Sequence, residues 1–202
     1  MIHAVIFDFG NVVCSFDLQQ FLRRISPFSK KTLPDLQKIL PSFRELAVEY
    51  ETGLITSDHF FEEIRKRSEL SISKQEFIKA YCEIFTPIPT TFDLIRRLKL
   101  NYKLGLVSNT SEWHYQYGIR PVAVFPLFDA VTLSFEVKAM KPARAIYADI
   151  LAKLMVSPPE CVFIDDIAEN VDAAVDLGMH GIHYTAPETL VQTLRGLDVV
   201  IS

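Results

Sequence analysis

Short runs of apolar residues that end abruptly in polar residues recur along the chain. They occupy residues 4–7, 104–107, 161–164 and 181–184, with a weaker run at 130–133. Strands that are apolar on both faces are typical of parallel sheets covered by helices. The pattern therefore predicts strands of a parallel sheet at these positions.

Amphipathic helical patterns separate these runs. Pro89 and Pro142 each suit the first position of a helix, and apolar residues follow both at helical spacing. Residues 168–177 predict a helix that ends at Gly178, since glycine tolerates the left-handed conformation of a helix cap. Alternating strands and helices predict an α/β fold with a doubly wound, Rossmann-like parallel sheet flanked by helices and right-handed crossovers.

Residues 15–85 interrupt this alternation. The stretch contains one glycine, Gly53, and shows no strand pattern. Its clearest helix start is Ser73, because Glu76 three residues later completes a capping box. We predict a small all-helical cap inserted after the first strand, and a Rossmannoid core formed by residues 1–14 and 86–202.

Composition and charge exclude several classes of partner. The chain has 202 residues, 49% of them hydrophobic, and a net charge of −4, and no cluster of Lys and Arg suggests a membrane surface. This favours one globular domain with a modest insertion and no nucleic-acid or membrane surface. The three separated cysteines predict no disulfide framework, and the N-terminus lacks a signal-peptide pattern. We expect a cytoplasmic protein, either a monomer or a homodimer.

Carboxylates follow two of the predicted strands. Asp8 ends the first run and precedes Gly10, whereas Asp165 and Asp166 end the run at 161–164. The carboxyl ends of parallel strands form a binding crevice in such sheets. Adjacent carboxylates repel each other, and a divalent cation such as Mg²⁺ relieves that repulsion. The alternative is that these aspartates only cap the turns that follow their strands.

Three other residues supply groups that bind an anion. Ser108 and Asn109 offer a hydroxyl and backbone N–H groups at another strand end, and Lys141 offers a positive charge. Each has an ordinary alternative, a helix cap for Ser108 and a surface cation for Lys141. Together with the carboxylates they form the set that phosphoryl transfer needs, since positioning and charge neutralisation drive that reaction.

Four motifs in this order resemble those of the haloacid dehalogenase superfamily. Two of them, the Asp-x-Gly-Asn-Val and Lys-Pro forms, are similar to those of its bacterial glucose-1-phosphatase-like branch. The Gly-containing turn at 51–56 also resembles a turn of that branch. The motifs are residues 6–12, residues 107–110, Lys141-Pro142, and residues 163–166 with Asn170 following.

The resemblance implies a Mg²⁺-dependent phosphatase in which Asp8 attacks phosphorus and forms an aspartyl-phosphate intermediate. It implies that the Asp8 side chain, the Gly10 carbonyl and Asp166 bind Mg²⁺. Asp165 would help directly or through water.

The remaining site residues receive roles from the same resemblance. Ser108 and the Asn109 backbone would bind the phosphoryl oxygens. Lys141 would orient Asp8 and offset charge. The expected partner is a small phosphorylated metabolite, with a sugar phosphate as one candidate.

Gly10 departs from the superfamily pattern, because most of its phosphatases have a general acid aspartate at that position. General acid catalysis contributes ~10²–10⁴-fold, so a substrate with a good leaving group, another residue or a water must compensate. His114 is one candidate, although a packed histidine is the commoner arrangement. Two alternative functions remain open: a metal-independent 2-haloacid dehalogenase, and a phosphate-binding module without turnover.

Overall fold

The computed structural model describes residues 1–201, which contain seven strands. Five of them form one parallel sheet in the order β5-β4-β1-β6-β7, and β2 and β3 form a separate antiparallel pair. The strands are β1 (Ala4–Phe7), β2 (Cys14–Phe16), β3 (Phe85–Pro87), β4 (Lys103–Ser108), β5 (Ala130–Leu133), β6 (Cys161–Asp165) and β7 (His180–His183).

Helices cover both faces of the sheet and fill the segment between β2 and β3. Five α-helices lie between β2 and β3, and we call them the cap helices. They are α1 (Leu18–Ile25), α2 (Leu33–Ile39), α3 (Arg44–Glu51), α4 (Ser57–Arg67) and α5 (Lys74–Cys82). The other α-helices are α6 (Pro89–Leu98), α7 (Ser134–Val137), α8 (Arg144–Leu154), α9 (Ala168–Asp176) and α10 (Pro187–Gly196).

The apolar runs form the strands of the parallel sheet, and the predicted α/β fold class is confirmed. The strands predicted at 4–7 and 130–133 have those bounds, and the other three differ by a residue at one or both ends. Every residue of β1 and β6 is buried. β1 lies between β4 and β6, and Ile6 pairs with Gly105 on one side and Phe163 on the other.

The predicted helix boundaries need one correction. α6 begins at Pro89 as predicted, and α9 ends before Gly178, whose φ is +93°. α8, however, begins at Arg144 rather than at Pro142, because Ala143 has an extended backbone and is the N-cap. Pro142 therefore precedes the helix instead of opening it.

The prediction that residues 15–85 contain no strand is wrong at both ends of that stretch. Ser15 pairs with Thr86, and Phe16 pairs with Phe85, in the antiparallel pair of β2 and β3. This pairing joins residues about 70 positions apart, so no local sequence pattern predicts it. The pair stands where the chain leaves the sheet and returns from the cap helices.

The cap helices have a hydrophobic cluster of their own. Tyr50, Phe60, Phe77 and Tyr81 meet in it through stacked, tilted and edge-on ring contacts. The predicted capping box at Ser73 is confirmed at the start of α5. The core division into 1–14 and 86–202 stays a prediction, and its last residue, Ser202, lies outside the described residues.

Within residues 1–201, no helix has the combination of length and hydropathy needed to cross a membrane.

Candidate active site

The predicted site residues meet at the carboxyl edge of the sheet. Asp8 directly follows β1, Ser108 ends β4 and Asp165 ends β6, and these three strands are neighbours. One cavity of ≈ 340 Å³ lies above this edge. The predicted residues that line it are Asp8, Gly10, Ser108, Asn109, Lys141 and Asp166. Asp165 is fully buried beneath it.

Lys141 connects two of the carboxylates. Its Nζ donates to Asp8 Oδ1 at 2.5 Å and to Asp165 Oδ2 at 2.6 Å, and a longer contact reaches the Val107 carbonyl at 3.3 Å. Burial lowers the pKa of Lys141, but attraction to Asp8 and Asp165 outweighs it and the net shift is upward. The ammonium group therefore stays charged in the interior.

The same ion pair acts on the Asp8 carboxyl. Burial raises its pKa to about 7, Lys141 opposes this rise, and the Asp165 charge adds to it. At 2.5 Å the Lys141 ammonium favours the ionised carboxylate, which is the form that can act as a nucleophile.

Asn109 positions Lys141 through the main chain. Its Oδ1 accepts from the Lys141 N–H at 2.7 Å, and its Nδ2 donates to the Lys141 carbonyl at 3.0 Å. The neighbouring Ser108 is 3% exposed, and its hydroxyl has no hydrogen-bond partner among residues 1–201. That hydroxyl lines the cavity and is available to a ligand.

The three aspartates form an acidic cluster that fits a divalent cation. One carboxylate oxygen from each of Asp8, Asp165 and Asp166 lies within 4.8 Å of the others. Asp166 Oδ2 accepts from Asn11 Nδ2 at 2.9 Å. Oxygen ligands of this kind are those that Mg²⁺ prefers.

Asp165 accepts more hydrogen bonds than the other two aspartates. Besides Lys141, it accepts from Asn170 Nδ2 at 3.1 Å on both oxygens and from the Ile167 N–H at 2.8 Å. These contacts hold the carboxylate in one orientation, and with it the Lys141 ammonium.

Gly10 places no side chain beside the nucleophile candidate. A Cβ placed on Gly10 would lie 3.9 Å from Asp8 Oδ2 and 3.3 Å from Cε1 of Phe16. Phe16 is 43% exposed and can shift. The position faces Asp8, as the sequence motif implies, and it carries no proton donor.

His114 lines the cavity but packs as a buried ring. It stacks on Tyr81 with a centroid separation of 3.9 Å, and its Nε2 lies 3.0 Å from the Tyr81 carbonyl. Burial lowers the pKa of His114 to about 4, although the bond to Tyr81 opposes the shift. The ring is therefore neutral near pH 7, which matches the packing alternative for this residue.

Glu51 is a cavity residue that sequence reasoning did not select. It is the last residue of α3, and it lines the cavity from the cap side. No hydrogen bond or ion pair to its carboxyl is present among residues 1–201. The Glu51-x-Gly53 turn was visible in the sequence, but nothing local indicated that Glu51 lines the cavity at Asp8.

Comparison with known proteins agrees with this geometry. The family model of the haloacid dehalogenase-like hydrolases matches residues 2–178. The chain belongs to this hydrolase family. A D-ribitol-5-phosphate phosphatase of Bacteroides thetaiotaomicron is 25% identical over 211 residues, covering 100% of both chains. A pyrimidine 5′-nucleotidase of Escherichia coli is 29% identical over 154 residues, covering 71% of this chain and 67% of that protein.

The fold of this hydrolase is also that of a solved structure from the same family. The family enzyme from Bacteroides thetaiotaomicron, in complex with magnesium and inorganic phosphate, superposes with a TM-score of 0.79. It is 24% identical, and the match covers 92% of this chain and 96% of that one.

Proposed function

We propose that this hydrolase is a Mg²⁺-dependent phosphatase that acts on a small phosphorylated metabolite through an aspartyl-phosphate intermediate on Asp8. The observation that carries the proposal is the Lys141–Asp8 ion pair of 2.5 Å at a cavity that Ser108 and Asp166 also line. The two relatives named as a phosphatase and a nucleotidase support it.

The acidic cluster is the proposed Mg²⁺ site. Asp8 and Asp166 would hold the ion together with the Gly10 carbonyl, and Asp165 would contribute directly or through water. When bound, Mg²⁺ neutralises charge on the phosphoryl group. The magnesium and phosphate bound to the Bacteroides structure support this choice of ion.

The chain's own residues perform the phosphoryl transfer. A carboxylate oxygen of Asp8 attacks phosphorus, and the bond from phosphorus to the leaving oxygen breaks. The Ser108 hydroxyl and the Asn109 backbone N–H bind the phosphoryl oxygens, while Lys141 holds Asp8 in line and offsets charge. Water then attacks the phosphorus of the intermediate, which releases phosphate and restores the Asp8 carboxylate.

The cavity favours a small substrate. Its volume of ≈ 340 Å³ is at the lower end of ligand pockets. Residues 15–85 contribute Leu18, Glu51 and Ile84 to its lining, so we propose that this segment acts as the specificity cap. A sugar or polyol phosphate is the substrate class to test first, since one relative acts on D-ribitol 5-phosphate.

A screen of phosphorylated metabolites tests the proposal. Sugar 1-phosphates, sugar 5- and 6-phosphates and polyol phosphates are incubated with the enzyme and Mg²⁺, with chelator, and with Asp8→Asn. We expect Mg²⁺-dependent phosphate release that the chelator and Asp8→Asn both abolish.

Two other outcomes would replace this function. Halide release from a 2-haloacid in the presence of chelator would favour a dehalogenase. Stabilisation by phosphate esters without product would favour a phosphate-binding module.

A further inference from the structure

We propose that Glu51 is the general acid and base that position 10 does not supply. This inference rests on the proposed phosphatase function. It assigns Glu51 two proton transfers, one to the leaving oxygen of the substrate and one from the water that hydrolyses the aspartyl-phosphate.

The first argument is elimination among the groups that can carry a proton. Five titratable side chains line the cavity within residues 1–201: Asp8, Glu51, His114, Lys141 and Asp166. Asp8 and Lys141 form the ion pair, and Asp166 belongs to the acidic cluster. His114 is neutral and its Nε2 contacts the Tyr81 carbonyl. Glu51 alone is a carboxyl outside the cluster.

The second argument is the way the core holds the main chain at Glu51. The Ser134 hydroxyl donates to the Glu51 carbonyl at 2.5 Å. Its own oxygen, Ser134 Oγ, accepts from the Thr110 N–H at 2.9 Å. Thr110 follows Ser108 by two residues. Ser134 therefore connects the cap at Glu51 to the loop that carries the phosphate-binding hydroxyl.

The turn after Glu51 is fixed by a second contact with the core. Gly53 has a φ of +67°, and a Cβ there would lie 2.3 Å from the Phe135 carbonyl oxygen. Lys138 Nζ donates to the Gly53 carbonyl at 2.5 Å. Only glycine allows this close approach, so the main chain of the turn that follows Glu51 is held against the core.

The protonation of Glu51 suits the role. Burial raises the pKa of its carboxyl to about 7. A general acid and base works best when its pKa is near the working pH. The surrounding titratable and charged groups are Tyr81 of α5, His114, Lys138 after α7 and, across the cavity, Asp8, Lys141 and Asp166.

The two steps balance with one proton on Glu51. In the first, the bond from Asp8 to phosphorus forms, the bond from phosphorus to the leaving oxygen breaks, and the Glu51 proton passes to that oxygen to give the alcohol. In the second, water attacks phosphorus and the Glu51 carboxylate takes its proton. The bond from phosphorus to Asp8 breaks, phosphate leaves, and Glu51 is protonated again.

The test compares two aromatic esters of similar size with opposite leaving-group quality, 4-nitrophenyl phosphate and benzyl phosphate. Glu51→Gln is measured beside wild type, Asp8→Asn and the control Glu49→Gln, which changes an exposed residue of the same helix. We expect Glu51→Gln to lower kcat/KM for benzyl phosphate by ~10²–10⁴-fold and to change it far less for 4-nitrophenyl phosphate. Glu49→Gln should change neither.

A burst experiment isolates the second proton transfer. With 4-nitrophenyl phosphate, Glu51→Gln should release about one equivalent of nitrophenolate per enzyme quickly and then turn over slowly, because the aspartyl-phosphate accumulates. The double variant Gly10→Asp/Glu51→Gln should have a kcat/KM for benzyl phosphate at least about tenfold higher than that of Glu51→Gln. A folded double variant as slow as Glu51→Gln would count against the assignment.

The outcomes separate this inference from the proposed function. Equal losses of kcat/KM on both esters in Glu51→Gln would make Glu51 a binding residue and overturn the inference, while the phosphatase function stood. If the wild-type enzyme releases phosphate neither from these esters nor from any compound of the metabolite screen, the proposed function is wrong, and this inference is wrong with it.

Discussion

The Nζ of Lys141 lies 2.6 Å from Oδ2 of Asp165, and neither side chain is more than 2% exposed. The same Nζ reaches Asp8, so one buried ammonium lies between two buried carboxylates. Asn170 and the Ile167 N–H complete the hydrogen bonds of Asp165. Asp165 thus holds the Lys141 ammonium in position beside Asp8.

Lys141→Met should destabilise the protein and abolish turnover. It leaves Asp8 and Asp165 buried without their cation, and breaking a buried pair costs about 3–5 kcal/mol. Thermal unfolding in chelator should show a clear drop in Tm for Lys141→Met and none for Lys79→Met, which changes an exposed lysine. An unchanged Tm would mean that the ion pair is not a structural requirement.

Asp166→Asn should weaken Mg²⁺ binding with little change in the apo fold. It removes one negative charge from the acidic cluster, while Asp166 is partly exposed and keeps its place beside Asn11. Titration calorimetry should show an affinity for Mg²⁺ at least about tenfold lower. Asp172→Asn, at an exposed position on α9, is the control. Equal affinities in the two variants would contradict the proposed ion site.

Gly53→Ala should lower both stability and activity. Its Cβ would strain a positive φ and meet the Phe135 carbonyl, which we expect to cost about 1–3 kcal/mol and to shift the Glu51 turn. The loss of kcat/KM should be larger for benzyl phosphate than for 4-nitrophenyl phosphate. Gly196→Ala is a matched control, since a Cβ there meets nothing within 4 Å. Normal Tm and rates in Gly53→Ala would show that the turn is not held closely.

Glu51 should make the free energy of unfolding fall as the pH rises. Its folded pKa of about 7 lies above the ordinary 4.5, so the folded state holds the proton more tightly. The contribution is complete below about pH 4.5 and is lost as the pH rises through about 7; its full size is about 3 kcal/mol at most. Glu51→Gln removes it. Denaturant unfolding at pH 5 and pH 8 should therefore show a smaller decline for the variant than for wild type, and parallel declines would contradict the shifted pKa.

The sequence by itself determined the strands of the parallel sheet and six of the residues that line the cavity. The apolar runs before Asp8, Ser108 and Asp165 indicate buried strands from local sequence alone. Parallel strands then bring their carboxyl ends to one edge of the sheet. The tertiary structure alone decided the partners of those residues. Ser134 and Glu51 are 83 positions apart, and no periodicity within either segment encodes their contact. The pairing of β2 with β3 and the burial of His114 against Tyr81 likewise depend on how distant segments pack. Hydrophobic periodicity records which face of an element is buried, whereas the groups that meet across a cavity depend on the packing of whole elements.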